Sequence, residues 1–450
     1  VVPRVVISAV RGMSGKTIAT LGIIYGLVRR GLRVAPFKVG PDYIDPTYHR
    51  AVSGVYSRNL DVVLMGERGV VMRFVKYSRG ADVAIIEGVM GLYDSIDGVS
   101  ELGSTAQVAK LLKAPVILVL SGERVNRTLR AVVRGLKSFD AHVEIRGVIL
   151  TDVVPGQAEK LKRGLSEEGV EVLGTIPRSG AVSSAFGYRH LGLVPFGERE
   201  NGAGLFNVIE SYIAPNIDTD RVVAIAREAG DLECPGDCGE SGSERAGGRC
   251  RVGIVMDRAF TFYYPEVIEE ACRLGEPVFV NSLKDPELPH VDVLMIGGGF
   301  PEVMAEGLEK NRSFRRSVLR YVEGGGRLYA ECGGLMYMTS SIIVDGSEYE
   351  MVGAVDAVTV VLRKPVGRGY AWGRVVARTP IAPPGTELRG HEFHYSKVIL
   401  RERPALAIRL ERGVGIGGGW DGIVKGNMHA QYLHIHPETY SALGALCRSM

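Results

Sequence analysis

The sequence predicts an α/β protein of two domains, and three observations carry that reading. At 450 residues the chain exceeds what one hydrophobic core ordinarily organises, so two or three domains are expected. Short β-branched runs alternate with amphipathic helical stretches from residue 4 to 200, and the pattern restarts at residue 250. Between the two, residues 228–249 are rich in Gly, Ser, Glu and Asp and nearly empty of apolar side chains, which predicts a linker. The expected division is 1–227, a linker over 228–249, and 250–450.

In the first half the runs are RVVISAV, RVAPFKV, DVAIIEGV, APVILVLS, RGVILTDV and VEVLGTIP. Each is almost continuously apolar, as strands of a parallel sheet covered on both faces should be. The first leads into RGMSGKT and then the helical IATLGIIYGLVRRG, the strand–loop–helix context of a phosphate-binding loop. Backbone N–H groups around Ser14 and Gly15 and at the helix start would cradle phosphates. Lys16 would neutralise their charge, and the Thr17 hydroxyl would ligate Mg²⁺. Position 10, where the standard loop carries its first glycine, is Val10, preceded by Ala9. The next run continues into FKVGPDYIDPTYH, placing Lys38, Asp42 and Asp45 at a strand end, where open α/β sheets bind ligands. Glu87 ends DVAIIEGV, and Asp94 follows in GLYD. Carboxylates so placed can hold Mg²⁺ directly or through water.

The second half reads RCRVGIVMD, PVFVNSL, VDVLMIGGG and RLYAECGG, with helical stretches such as YYPEVIEEACRLG between them. After residue 350 Gly-punctuated strands dominate, predicting antiparallel strands appended to the second sheet. RLYAECGGLMYM places Cys332 between an apolar strand and a helix, the setting of a nucleophile elbow that tolerates only small neighbours. The helix start is expected to lower the thiol pKa, and the Gly333 N–H to serve as an oxyanion donor. IGGGFPE supplies Gly297, Gly298 and Gly299 at another strand end, a source for a second donor. A thiol nucleophile needs a base, and NMHAQYLHIHP offers His429, His434 and His436. In a strand, His434 and His436 share a face, and Pro437-Glu438 follows the latter, so both stay open.

Composition excludes other classes. Hydrophobic residues at 46% and charged residues at 23% are those of a globular protein. No apolar run approaches the roughly 18 residues that span a bilayer, and VVPRVVISAV reads as a strand and not a targeting leader. No membrane partner and a cytoplasmic location are expected. A net charge of +3 without any Lys/Arg block gives no reason to expect nucleic acid. Six cysteines are too sparse for a disulfide framework. Cys234, Cys238 and Cys250 cluster, yet no His lies nearby to complete a zinc site, so a solvated linker is the expectation there.

The stretches SGKT, PFKVGPDYIDPTYH, SRNLD, EGVMGLYD, AKLLKAPVILV, GVIL, VLGTIPR and YRHLGLVP run in order through the first half. With GGGFPE, AECGGLMYM, MVGAV, RGYAWG and GHEFHYS in the second, the chain resembles the cobyrinate a,c-diamide synthase family, related to dethiobiotin synthetase and the partitioning ATPases. The resemblance implies a P-loop NTPase-like (dethiobiotin synthetase-like) parallel sheet followed by a class I glutamine amidotransferase-like α/β domain. It assigns Lys16, Thr17, Lys38 and Glu87 to ATP and metal, and Asp42, Asp45 and Asp94 to metal or corrinoid. Thr151-Asp152 stands where relatives usually carry an Asn.

The implied chemistry is amidation of the a and c carboxylates of cobyrinate through acyl phosphates. Glutamine hydrolysed by Cys332, or free ammonia, would supply nitrogen, with a closed route between the domains. His434, preceded by the YLH pattern, is favoured as base over His436; the family lacks a clear third acid, which makes Glu438 a bystander. For His391 and His394 of GHEFHYS a corrinoid contact and structural packing stand equally open. The related readings are a nickel-sirohydrochlorin a,c-diamide synthase and a partitioning-type ATPase switch. Oligomeric state is not legible; a homodimer is one assembly the family reading allows.

Overall fold

In the first half the apolar runs become strands of one sheet. They are β1 (Arg4–Ala9), β2 (Val34–Val39), β3 (Arg58–Leu60), β4 (Val83–Glu87), β5 (Val116–Ser121), β6 (Ile145–Val153) and β7 (Glu171–Pro177). The order is β3-β2-β4-β1-β5-β6-β7, every pairing parallel. Because side chains alternate across a strand, β1 faces two cores. Val5 and Ile7 meet Ala19, Ile23 and Leu27 of the helix Lys16–Arg29, while Val6 joins Phe37 and Phe74 on the other side. Strand order reverses beside β1, and the crevice beyond the carboxyl ends of β1, β2 and β4 is where such sheets bind ligands. Only three residues long, β3 is the one strand of this sheet that no apolar run announces. A two-stranded ladder, β8 (Tyr188–Arg189) with β9 (Gly192–Leu193), follows β7.

This computed structural model describes residues 2–186, 188–189, 192–198, 202–235 and 250–448. The chain divides into two compact units, Val1–Ser241 and Gly242–Met450. Residues 236–249 of the expected linker, with Cys238, lie outside the described residues, as do His190 and Leu191 of YRHLGLVP. Among the described residues no helix is long and apolar enough to cross a membrane.

The second unit begins with β10 (Cys250–Val255), β11 (Gly275–Val280), β12 (Val293–Ile296) and β13 (Arg327–Glu331). After these come β14 (Thr339–Val344), β15 (Ser347–Glu350), β16 (Val355–Val361), β17 (Gly367–Val375), β18 (Glu387–His394) and β19 (Ser396–Leu400). The last are β20 (Ala405–Arg412), β21 (Trp420–Lys425), β22 (Met428–Gln431) and β23 (His434–Ile435). Ten of them form one sheet, β11-β10-β12-β13-β22-β21-β20-β17-β18-β23, parallel through β22 and antiparallel beyond it. β22 and β23 stand at opposite ends of the antiparallel run, yet only Tyr432 and Leu433 separate them. That stretch of chain reaches roughly 10 Å, so the antiparallel half must curl back on itself. The expectation that the late strands extend the second sheet needs one correction. β16 and β19 lie instead with β14 and β15 in a separate four-stranded sheet of order β15-β14-β16-β19, because β14, which follows the short helix Gly333–Met338 outside the ten-stranded sheet, pairs with β16, and β16 with β19.

The cysteine reading is also corrected. Cys250, the first residue of β10, is disulfide-bonded to Cys447 in the helix Ala442–Arg448, across a sequence separation of 197. Cys234 is disulfide-bonded as well, so neither it nor Cys250 is available to a metal. Spacing along the chain cannot show a bridge whose two ends are brought together only by the fold. Closing so long a loop should stabilise the second unit by about 2–5 kcal/mol. Cys447→Ser is therefore expected to melt several degrees below the wild type in calorimetry, and reductant should bring the wild type down to the variant.

Candidate functional site

Two constellations stand out, one in each unit. In the first, strand register does the placing: Glu87 lies opposite both Ile7 of β1 and Lys38 of β2. Glu87 has no exposure to water. Its Oε1 accepts from the Thr17 hydroxyl (2.7 Å) and the Lys38 ammonium (3.0 Å), and its Oε2 lies 2.7 Å from His49 Nε2. His49 Nδ1 is 3.0 Å from the Ser57 hydroxyl. Lys38 also donates to Gly88 O at 3.0 Å and pairs with Asp45 at 2.6 Å and Asp42 at 3.9 Å. Burial works against both charges, but Lys38 and His49 hold the Glu87 carboxyl below the usual range, while Asp45 and Glu87 hold the Lys38 ammonium up. Asp45 is pushed well up by burial and by Asp42.

The loop before the helix Lys16–Arg29 turns through two left-handed residues, Met13 (φ 58°) and Gly15 (φ 83°). Val10 is not among them, so its replacement of glycine costs nothing in backbone strain. The close approach is made on the other side: a Cβ on Gly91 would stand 2.4 Å from Val10 O. Lys16 donates to Met90 O (2.6 Å) and Arg11 O (3.2 Å), and burial, with Lys38 nearby, lowers its pKa to about 8. Asp42 caps the backbone N–H groups of Ile44 and Asp45, and Asp94 caps that of Gly91. Ser14, by contrast, only closes the loop, donating to Arg11 O.

Among the described residues no group of three His, Cys, Asp or Glu side chains could cage a metal. Mg²⁺ takes one or two protein oxygens and completes its shell with water and phosphates. The adjacent oxygens of Thr17 and Glu87 fit such a role. His49 was not singled out from the sequence. Its signal was its position four residues after Asp45, one helical turn on.

In the second unit β13 ends at Glu331, and Cys332 stands in a left-handed turn (φ 47°, ψ −99°) before the helix Gly333–Met338. A non-glycine residue held there stores about 1–3 kcal/mol of strain, the mark of an elbow. Its neighbours must be small: a Cβ on Gly334 would stand 2.2 Å from Ile296 O, and one on Gly333 3.0 Å from Gly299 N. Gly297, Gly298 and Gly299 follow β12, and the Gly297 N–H is taken by the Tyr263 hydroxyl (2.7 Å). The elbow is tied to the histidine segment by the Cys332 N–H, which donates to Gln431 O at 2.7 Å.

The structure separates the three histidines. His429 lies in a relay, 2.7 Å from the Thr379 hydroxyl and 2.8 Å from Gln431 Oε1, and burial lowers its pKa to about 4. His436 packs against Tyr264 with the rings tilted by 49° and lies 3.7 Å from Glu266. His434 comes to the glycine loop, where a Cβ on Gly298 would stand 2.5 Å from its Cε1. Its Nδ1 is 3.6 Å from Glu331 Oε2, and its ring stacks on His391 at 5.0 Å. His394 is packed as well, stacked on Tyr432 at 3.6 Å. One expectation fails: the thiol of Cys332 is not lowered. Burial pushes it far up, and Glu302 and Glu331 add to this, outweighing the Gly333 N–H.

A phosphate loop beside a buried Lys–carboxylate cluster, followed by a cysteine elbow with a histidine, defines a nucleotide-binding unit joined to a glutamine amidotransferase unit. Residues 5–191 match the CobQ/CobB/MinD/ParA nucleotide binding domain, and residues 251–441 the CobB/CobQ-like glutamine amidotransferase domain. The chain belongs to the cobyrinate a,c-diamide synthase family. It is 43% identical to the cobyrinate a,c-diamide synthase of Archaeoglobus fulgidus over 97% of its own length and 94% of the relative's. Identity is also 43% to that of Methanosarcina acetivorans (98% and 94% covered), and 39% to that of Listeria monocytogenes (96% of each).

Gly298 gives a selective test of the second constellation. Its backbone has no left-handed φ, so alanine is conformationally allowed and the clash falls on the His434 ring. Gly298→Ala should displace the His434 ring and lower the rate of glutamine hydrolysis by at least about tenfold, while the thermal midpoint stays near that of the wild type.

Proposed function

We propose that the chain catalyses ATP- and glutamine-dependent amidation of the a and c carboxylates of cobyrinate through acyl phosphates. Residues 1–227 would act as the amide synthase and residues 250–450 as the glutaminase. The observation that carries the reading is the meeting of the Cys332 elbow, the glycine loop and His434 in a unit of the amidotransferase family. The choice of ring is supported by the full-length likeness to cobyrinate a,c-diamide synthases.

A carboxylate is a poor electrophile, so the γ-phosphoryl group of ATP is first moved onto a carboxylate oxygen and ADP leaves. The loop around Ser14 and Gly15 positions the phosphates by its backbone N–H groups, and Lys16 and Lys38 balance their charge. Thr17 and Glu87 would hold Mg²⁺, which when bound supplies further charge neutralisation. Asp42, Asp45 and Asp94 surround the same crevice and are the groups available to the acceptor or its metal.

In the second unit the Cys332 thiol gives its proton to His434 as sulfur attacks the glutamine side-chain carbon. N–H groups of Gly333 and of the Gly298–Gly299 segment take up the oxyanion. The thioester forms as ammonia leaves with the proton from His434, and water releases glutamate. Ammonia then attacks the acyl phosphate, expelling phosphate and losing a proton to give the amide. Since Cys332 rests as a thiol, its activation depends on the proton transfer to His434 and not on a standing thiolate.

The test is mass spectrometry of cobyrinate incubated with protein, Mg-ATP and either glutamine or ammonia. Wild type should add two amides from either donor, Cys332→Ala only from ammonia, and Lys16→Ala from neither at more than about a hundredth of the wild-type rate. Glutamine hydrolysis with unchanged cobyrinate, and amidation of nickel-sirohydrochlorin, would move the substrate to that ring. Glutamine hydrolysis by Cys332→Ala at the wild-type rate would overturn the nucleophile.

A further inference from the structure

An imidazole that takes a proton at one nitrogen works only if the other nitrogen is held, because that contact fixes tautomer and ring orientation. Glu438, the bystander of the sequence reading, donates its backbone N–H to His436 at 3.2 Å. The acid that faces His434 is Glu331, the residue directly before Cys332. Its carboxylate is buried and pinned from two sides. Oε1 accepts from the Tyr329 hydroxyl at 2.5 Å and from the Ile435 N–H at 3.0 Å. Tyr329 is in turn held by Gln431 Nε2 at 2.9 Å. With Oε1 so fixed, Oε2 lies 3.6 Å from His434 Nδ1, a separation of the kind that closes when substrate binds. The His391 ring stacks on His434 with 16° between planes, which confines rotation of the imidazole.

We propose that Glu331 is the positioning residue of the glutaminase, holding His434 with its proton on Nδ1 so that Nε2 receives the Cys332 proton. This rests on the reading of Cys332 and His434 as nucleophile and base. As the C–S bond forms, the thiol proton passes to Nε2, and the carboxylate steadies the imidazolium through the Nδ1 proton, which stays on the ring. As the C–N bond breaks, the Nε2 proton leaves with the amine nitrogen, and Glu331 ends the cycle ionised as it began. Other titratable groups around the site are His391 on β18, His436 acting on His391, Glu302, Asp421 and Tyr432 around Cys332, and Tyr263 near Glu331. None of these joins the backbone beside His434 to its ring nitrogen. Glu331 does, because one oxygen holds Ile435 and the other faces Nδ1.

The experiment measures glutamine hydrolysis by the full chain across the neutral pH range for wild type, Glu331→Gln, Glu331→Asp, Cys332→Ala and His434→Ala. Glu331→Gln should lower kcat at least about tenfold with KM within about twofold, the size of effect expected when a general base is disordered. The acidic limb of its kcat/KM profile should move to lower pH, since the imidazole loses a neighbouring negative charge. Glu331→Asp, with the charge withdrawn by one methylene, should recover part of kcat and restore the limb. A purely structural role would depress the melting temperature and leave the limb in place. If Glu331→Gln no longer melts cooperatively, Glu331→Asp decides: lowered kcat with a wild-type limb at a wild-type melting temperature supports the assignment, and wild-type kcat, or a kcat loss that comes with a lowered melting temperature, overturns it. A folded Glu331→Gln with wild-type kcat and limb, while Cys332→Ala is inactive, sinks this proposal alone. Wild-type hydrolysis by Cys332→Ala sinks the underlying reading as well.

Discussion

The carboxylate of Glu87 has no contact with water, and a buried charge survives only if groups of opposite sign and hydrogen-bond donors come to it. Here they come from separate stretches of chain: Thr17 after the phosphate loop, Lys38 at the end of β2, and His49 on the following helix. None of these can shift without exposing the charge, so one ionised group fixes the relative places of three elements around the crevice. The second unit follows the same logic. Asp421, buried and with its pKa raised to about 6, accepts the N–H groups of Tyr432 and Leu433. It thereby shapes the two-residue link by which the curled sheet delivers His434 to the elbow.

Much of this was legible in the sequence, for a physical reason in each case. Strands covered on both faces must be apolar throughout, so RVVISAV and DVAIIEGV declare themselves. A phosphate loop and an elbow need small residues at fixed steps along the chain, so SGKT and ECGG do too. What stayed hidden depends on pairing between distant segments. Glu331 looked like an ordinary strand residue because its partner, β23, lies about a hundred residues downstream in a sheet that curls. His49 gave no sign of its role, since nothing local shows that its ring ends on Glu87.

The misjudged thiol has its own lesson. A helix start lowers a cysteine pKa when the helix is long and the sulfur is near water. This helix has six residues, the sulfur is buried, and carboxylates surround it. A thiol kept protonated is a poor target for peroxide and stray electrophiles. The burial and the neighbouring carboxylates that hold the Cys332 thiol up therefore also make it slow to oxidise.

The bridge between Cys250 and Cys447 joins the opening strand of the second unit to its last helix. Nearly the whole unit is thus a covalent ring. A protease that nicked any loop inside it would leave two fragments still tied together. Tension arriving at β10 would pass straight across the sulfur atoms into the final helix. The strands that carry Cys332 and His434 sit inside that ring, off the line of force.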